Sequence, residues 1–409
     1  MIDVRTARSD PDTWRAALAR KGAAEDFDAL MEADRHWLEL VPKVDELRSR
    51  TKLKGKPTPE QVEELKQVKA ELQRLQGELA DAEAQRHELL ERVPNPPDRS
   101  APDGQTDDDA EEVRRVGQPP AFDFEPQDHM DLVGGERGID MERGARLSGS
   151  RFAYRTGAVA LLELALYRFA LGRLTAAGFV PVLPPVLVRG EAMYGTGFLP
   201  TEEVNIYRVE RDELYLTGTS EVALAGLHMG EILEAESLPR RYAGYSTCFR
   251  REAGAAGKDT RGMFRVHQFD KVEMFVFCPP ESSGSEHELI LEIEEGLVQA
   301  LGLPYRVVNI AAGDLGGAAT KKYDIEAWFP AQGRYREITS CSNTTDYQAR
   351  RLEIRFRGGH GPELVHTLNG TAATARAMLA ILENFQDASG SVAVPEALLP
   401  FGAPERIGS

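Results

Sequence analysis

The chain reads as an α+β protein: an N-terminal antiparallel helical hairpin, or coiled-coil arm, followed by an antiparallel or mixed sheet flanked by helices. Three observations predict this. A heptad seam occupies the first quarter, a Pro-rich acidic stretch follows it, and several apolar strands then succeed one another without regular βα alternation. Of 409 residues, 42% are hydrophobic and 28% charged, which is enough apolar material for two or three domains with a large core.

Residues 1–93 read as helix. Leu65, Val68, Leu72, Leu75, Leu79, Ala82 and Leu89 recur in steps of three and four, with Arg86 at one seam position, and Trp37, Leu40, Val44 and Leu47 give a second apolar stripe. Residues 55–59, GKPTP, read as the turn between them, with Pro59 opening the second helix. Pro42 predicts a kink in the first. Periodicity alone leaves open a plain packed pair of helices or a projecting arm. Arg48, Arg50, Lys52, Lys54 and Lys56 crowd toward the turn, although the net charge is −17. Such a tip either meets phosphates or is merely solvated. Domains are expected at 1–100 (helical arm), 101–117 (acidic linker) and 118–409 (the larger domain). Within the last, 161–177, 283–301 and 372–384 read as helices. Residues 178–185 (GFVPVLPP), 213–216, 274–278 and 305–310 read as extended.

The acidic balance argues against a protein that coats nucleic acid everywhere, though not against a local basic patch. Cys248, Cys278 and Cys341 form no C-x-x-C pair, so reduced thiols and no zinc are expected. No apolar leader and no run approaching 18 apolar residues is present, so a soluble cytoplasmic protein without membrane contact is expected.

Chemistry concentrates in four stretches. In FRREAG, alternation puts Arg250 and Glu252 on one face and Arg251 on the other. An arginine fork there takes phosphate or carboxylate, while a surface salt-bridge ladder is the plainer reading. The loop 253–262 carries Lys258 and Arg261 and returns through 263–269, read as a strand bearing Arg265, with Phe269 available for stacking. In LTGTSE, Thr219 and Glu221 converge on a small ligand, or Glu221 simply caps a helix beginning at Val222. Glu273 offers a second carboxylate, a combination suited to an amino acid. Toward the C-terminus, Glu337 and Ser340 are candidates to hold a divalent cation bridging phosphates. Asn369, Gly370 and Thr371 read as a turn into a helix. Arg376 on that otherwise apolar helix needs an anion, either Glu383 or a bound phosphate. No G-x-G-x-x-G or Walker A run occurs, so a nucleotide site here is neither Rossmann nor P-loop.

These stretches closely resemble the bacterial-type seryl-tRNA synthetases, a class II aminoacyl-tRNA synthetase family. Residues 178–185 resemble motif 1; 245–254 (YSTCFRREAG) with 261–273 (RGMFRVHQFDKVE), motif 2; and 370–376 (GTAATAR) through 381–386 (ILENFQ), motif 3. TGTSE at 217–221 and REITSCSN at 336–343 add to the match. The resemblance implies a class II antiparallel sheet and a homodimer built partly through motif 1. It implies ATP-dependent activation of L-serine to seryl-adenylate and transfer to the 3'-terminal adenosine of serine tRNA. Serine would meet Thr219, Glu221, Arg250, Glu273, Asn369 and Thr371. ATP would meet Arg250, Arg251, Glu252, Arg265, Val266, Phe269, Glu337, Ser340 and Arg376, with Mg²⁺ at Glu337 and Ser340, and Arg250 and Arg376 acting on the reacting phosphate. The arm, through Arg48, Arg50, Lys52, Lys54 and Lys56, would hold the tRNA. A same-fold alternative is a paralogue that supplies activated serine or seryl-tRNA to a biosynthetic pathway.

Overall fold

The computed structural model describes every residue except 53–57, 254–256, 258, 260, 360 and 409. By contact density the chain divides into two compact units, Met1–Pro96 and Pro97–Ser409. The positions of Lys54, Lys56 and Lys258, and most of the expected turn at 55–59, lie outside the described residues.

The first unit is helical: α1 (Val4–Ser9), α2 (Pro11–Ala19), α3 (Ala24–Arg50) and α4 (Pro59–Arg92). A capping box starts α4, because the Thr58 hydroxyl accepts from the Gln61 amide while the Gln61 side chain accepts from the Thr58 amide, and Pro59 holds the first helical position. The two predicted stripes meet. Leu40, Val44, Leu75 and Ala82 form a buried seam with Trp37, Leu47, Leu72 and Leu79 packed around it. Pro42, expected to kink α3, lies inside it without ending it. The polar seam position has its own partner: Arg86 reaches the fully buried Asp34 at 2.6 Å, Arg8 of α1 reaches the other carboxylate oxygen at 2.9 Å, and the Arg86 guanidinium lies 4.8 Å from the Trp37 ring centre. One carboxylate therefore ties three helices together.

The second unit is built on an eight-stranded sheet. Its strands, in chain order, are β1 (Glu111–Val116), β2 (Val180–Val182), β3 (Arg240–Phe249), β4 (Gln268–Cys278), β5 (Tyr305–Asn309), β6 (Lys321–Phe329), β7 (Arg334–Thr345) and β8 (His366–Thr374). Their spatial order is β1-β5-β6-β7-β8-β4-β3-β2. Every pair is antiparallel except β2 with β3 at one edge. Helices used below are α5 (His129–Val133), α6 (Gly157–Ala176), α7 (Glu221–Gly226), α8 (Ser283–Ala300) and α9 (Ala375–Asn384). Leu162 and Leu166 of α6, Ile290 and Leu291 of α8, and Met378 to Leu382 of α9 share one core with Val272, Met274, Ile325 and Leu368 of the sheet.

Three expectations need correction. The segment expected as an acidic linker, 101–117, contains the edge strand β1. Its charged side chains are nearly all exposed, Arg114 pairing with Glu295 of α8 and Arg115 with Glu112, which is how an edge strand stays soluble. Residues 263–267, expected as strand, are irregular, and β4 begins only at Gln268. The helix expected from 372 begins at Ala375. Ala372, Ala373 and Thr374 finish β8, and Asn369 to Thr371 lie within that strand and form no turn. Small residues favour helix locally, but pairing with Lys271 and Val272 of β4 overrides that preference.

The arm makes one prediction. Asp34→Ala strands two arginines, both partly solvated, and is expected to cost about 2–3 kcal/mol, less than a fully buried pair would. Urea unfolding followed by far-UV circular dichroism measures it, and an unshifted arm transition would rule out the tie.

Candidate active site

Alternation along the central strands sets the floor of the site. Glu273 of β4 lies opposite Thr371 of β8, Phe275 opposite Asn369, and Asn369 in turn opposite Ser342 of β7. Side chains two residues apart share a face, so Lys271 with Glu273, Ser340 with Ser342, and Asn369 with Thr371 stand in polar rows. Gly370 between them serves the opposite face. A Cβ there would come 2.3 Å from Ile290 and 2.9 Å from a Glu294 carboxylate oxygen, so only glycine lets α8 close on the sheet behind the site. The polar rows line a cavity of about 410 Å³.

Every residue expected to meet serine or nucleotide lines that cavity except Arg251. Arg251 is exposed, with its guanidinium 5.9 Å from the Tyr207 ring centre. Strand alternation past the end of β3 sends it to the outer side, as it sends Arg250 inward.

One half of the cavity is cationic. Arg250 donates from Nε to the Gly218 carbonyl at 3.0 Å and lies 5.3 Å from the Phe269 ring centre. Glu252 sits at φ +50°, a conformation uncommon for a side-chain-bearing residue, and pairs there with Arg265. Arg376, in the first turn of α9, donates to the Glu337 carboxylate at 3.0 Å and to the Glu337 carbonyl at 3.2 Å. The anion that the sequence demanded for Arg376 is therefore Glu337 of β7. Glu383, the carboxylate expected to serve it, is instead fully buried beside His129. Burial alone would raise the Glu337 carboxyl, but the nearby charges of Arg376 and Lys322 outweigh it and hold Glu337 well below the usual carboxylate range. The Phe264 ring has two guanidiniums against it, Arg336 at 3.7 Å and Arg376 at 4.6 Å, and Asp259 holds Arg336 through both oxygens at 2.8 and 2.9 Å.

The other half is smaller and richer in carboxylates. Glu221 opens α7, and its side chain accepts from Asn369 at 3.0 Å and from Gln348 at 2.7 Å. The Glu221 amide donates to the Thr219 hydroxyl at 3.2 Å. Glu273 is 2% exposed and pairs with Lys271. Burial pushes the Glu273 carboxyl up to about 7, against the pull of Lys271 and with the help of Glu221. Burial likewise raises Glu221. A buried and a half-buried carboxylate, flanked by Thr219, Thr371 and Asn369, suit a small ligand carrying both an ammonium and a hydroxyl.

Sequence reasoning missed Lys271, Lys322, Glu202 and Phe264 as lining residues. Lys271 had a signal, since it stands two positions before Glu273 on the same strand face. Lys322 follows the same rule, paired with Asp324 at 3.0 Å. Glu202 comes from the turn that follows the helix Gly190–Thr196, where no periodicity points inward. On the arm, Arg48 pairs with Asp45 at 3.1 Å and Arg50 with Glu64 at 3.3 Å, all exposed, and Lys52 is exposed. Among the described residues no group of three or more His, Cys, Asp or Glu is arranged as a metal cluster, and no helix is long and apolar enough to cross a membrane. The three cysteines are buried free thiols.

Comparison with known proteins agrees with this geometry. Residues 1–97 match the family described as the seryl-tRNA synthetase N-terminal domain, and residues 206–385 match the tRNA synthetase class II core domain (G, H, P, S and T). The serine–tRNA ligase of Thermobifida fusca is 49% identical, covering 98% of this chain and 97% of its own. The crystal structure of seryl-tRNA synthetase from Pyrococcus horikoshii complexed with ATP superposes with a TM-score of 0.94 at 40% identity, covering 100% of this chain and 99% of its own. The cytoplasmic serine–tRNA ligase of Naegleria fowleri, in complex with AMP, gives 0.88 at 34% identity, covering 98% of this chain and 96% of its own. A helical arm joined to an antiparallel sheet, matched from end to end by such relatives, means that the chain belongs to the seryl-tRNA synthetase family of class II.

Proposed function

We propose that the protein activates L-serine with ATP and passes the seryl group to serine tRNA, as a homodimer whose arm holds the tRNA. The observation that carries this reading is the division of one cavity into a wall of arginines and a small pocket with two carboxylates, Glu273 buried and Glu221 half-buried. The arginine wall suits a triphosphate, because guanidinium forks match phosphate oxygens. The pocket suits serine: Glu221 and Glu273 face its ammonium and hydroxyl together with Thr219, Thr371 and Asn369, and Arg250 stands between the two halves.

In the first step the serine carboxylate attacks the α-phosphorus of ATP in line. The bond to pyrophosphate breaks and seryl-adenylate forms, with Arg250 and Arg376 offsetting charge that builds on the phosphoryl oxygens. The adenine ring stacks on Phe269, and Glu252 and the Val266 backbone border it. In the second step a hydroxyl of the tRNA's terminal ribose attacks the adenylate carbonyl and AMP leaves. Glu337, kept ionised by Arg376 and Lys322, and the Ser340 hydroxyl are oxygen donors of the kind that Mg²⁺ accepts, and Mg²⁺ carried by the triphosphate would neutralise part of its charge. Alanine fits the pocket but leaves buried polar groups unsatisfied, so it is rejected more strongly than size alone would allow.

Three measurements test this reading. Arg250→Ala is expected to lower serine-dependent exchange of pyrophosphate into ATP by about a thousandfold or more while the fold is kept. Undiminished exchange would remove Arg250 from the reaction. For Glu273, kcat/KM reports the unliganded protein, and its ionised form is the one that binds serine. kcat/KM for serine should therefore hold above pH 7 and fall about tenfold per unit as pH drops below the Glu273 value of about 7. Glu273→Gln should abolish that acid limb, and a limb that survives unchanged belongs to another group. Finally, the protein should both exchange pyrophosphate and charge serine tRNA. Exchange without charging would favour the pathway paralogue.

A further inference from the structure

The irregular stretch that carries Phe264 and Arg265 is clasped from behind by a histidine that neither ligand reaches. His129, at the start of α5, is 4% exposed. Its Nδ1 lies 2.9 Å from the Glu383 carboxylate of α9, and its own backbone amide donates to the same oxygen at 3.3 Å. Its Nε2 lies 3.3 Å from the backbone nitrogen of Met263. An amide nitrogen only donates, so Nε2 must accept, and the neutral ring's single proton sits on Nδ1 and is given to Glu383. Gly262 supports the same assignment. It has φ +79°, and a Cβ there would come 2.2 Å from His129 Nε2, so the chain has left this position open for the imidazole. Arg261 closes the clasp by pairing with Asp128 at 3.1 Å and with Asp131, on either side of the histidine.

We propose that His129 is a positioning residue for the nucleotide half of the site, working through the Met263 amide. The imidazole bridges two elements that must agree in position. Its Nδ1 side is fixed to α9, the helix that carries Arg376. Its Nε2 side fixes residue 263, next to the ring that lies against both Arg336 and Arg376 and two residues from Arg265. Holding the Met263 amide therefore sets where the Phe264 ring stands relative to Arg376. Without an acceptor the amide, buried at that point, loses its partner, and residues 261–266 relax away from the arginine wall. This inference rests on the adenylation reading for its kinetic consequence, though not for its geometry.

Two substitutions separate positioning through Met263 from simple support of α5 by Glu383. His129→Asn keeps a donor near Nδ1 and removes the acceptor at Nε2, whereas His129→Gln carries an acceptor out to the Nε2 position. In serine-dependent pyrophosphate exchange, His129→Asn is expected to raise the KM for ATP about tenfold with the KM for serine changed less than about twofold, and His129→Gln to recover to within about threefold of the unmodified protein. An unchanged KM for ATP in His129→Asn, or a His129→Gln protein impaired as deeply, overturns the proposal. Should His129→Asn fail to fold, Gly262→Ala attacks the same contact from the other side. It should raise the KM for ATP in the same selective way, and a normal KM there counts against the proposal. If the unmodified protein exchanges no pyrophosphate with serine, the adenylation reading fails. Deuterium uptake by residues 261–266 then decides on His129 alone: the assignment requires faster uptake in His129→Asn and its restoration in His129→Gln, and equal uptake in all three proteins refutes it.

Discussion

Cations gathered in one half-buried cavity need counter-charges of their own, and the architecture of this site follows from that need. A guanidinium removed from water without a partner costs several kcal/mol. Two arginines of the wall are accordingly held by carboxylates, Arg376 by Glu337 of β7 and Arg265 by Glu252 just past β3, and Arg336, against the Phe264 ring, by Asp259, while Arg250 is held by the Gly218 carbonyl. The first two pairs hold the guanidiniums of Arg376 and Arg265 at the cavity. On the proposed reading, phosphate oxygens would meet charges already in place, and little reorganisation would be required when negative charge grows on the phosphorus. The protein is acidic overall, with a formal charge of −17, so the cationic wall is a local departure from a surface that is on balance unattractive to polyanions.

The carboxylate-rich pocket, proposed to take serine, uses the opposite arrangement. Lys271 sits against Glu273, and Glu221 is satisfied by amide donors from Asn369 and Gln348. Dry surroundings leave both carboxyl groups easier to protonate than in water. Such groups discriminate sharply, because a ligand lacking the matching polar atom strands them. Arg250 links the two halves, its backbone paired with His267 in both directions and its side chain fixed by Gly218 and Phe269. The loop histidine thus has a structural part to play at Arg250, as does His129 at Met263.

Much of this was legible in the chain. The heptad seam located α3 and α4 because coiled-coil packing repeats locally, and even its polar interruption, Arg86, marked a real contact. Alternation around Arg250 assigned one arginine to the cavity and the other to the outside, and the motifs at 217–221, 245–254, 261–273, 336–343 and 370–376 delivered most of the polar lining, while the parts contributed by 196–202 and 316–319 carried no signal. What stayed illegible was set by neighbours distant in sequence. Strand β1 was hidden by the acidic run before it and by its own charge, since four of its six residues are Glu or Arg, as befits an edge strand. Ala372 to Thr374 read as helix, because nothing local reveals the antiparallel partner that makes them strand.

The sequence by itself determined the periods, the breaks and the inventory of charged and hydroxyl groups, since these depend on residues a few positions apart. Only the tertiary structure decided which carboxylate answers which cation. Glu337 rather than Glu383 faces Arg376, and Glu383 turns to His129. Such pairings depend on distances between strands and helices, and those are fixed by long-range packing such as the approach of α8 to Gly370, which no local pattern encodes.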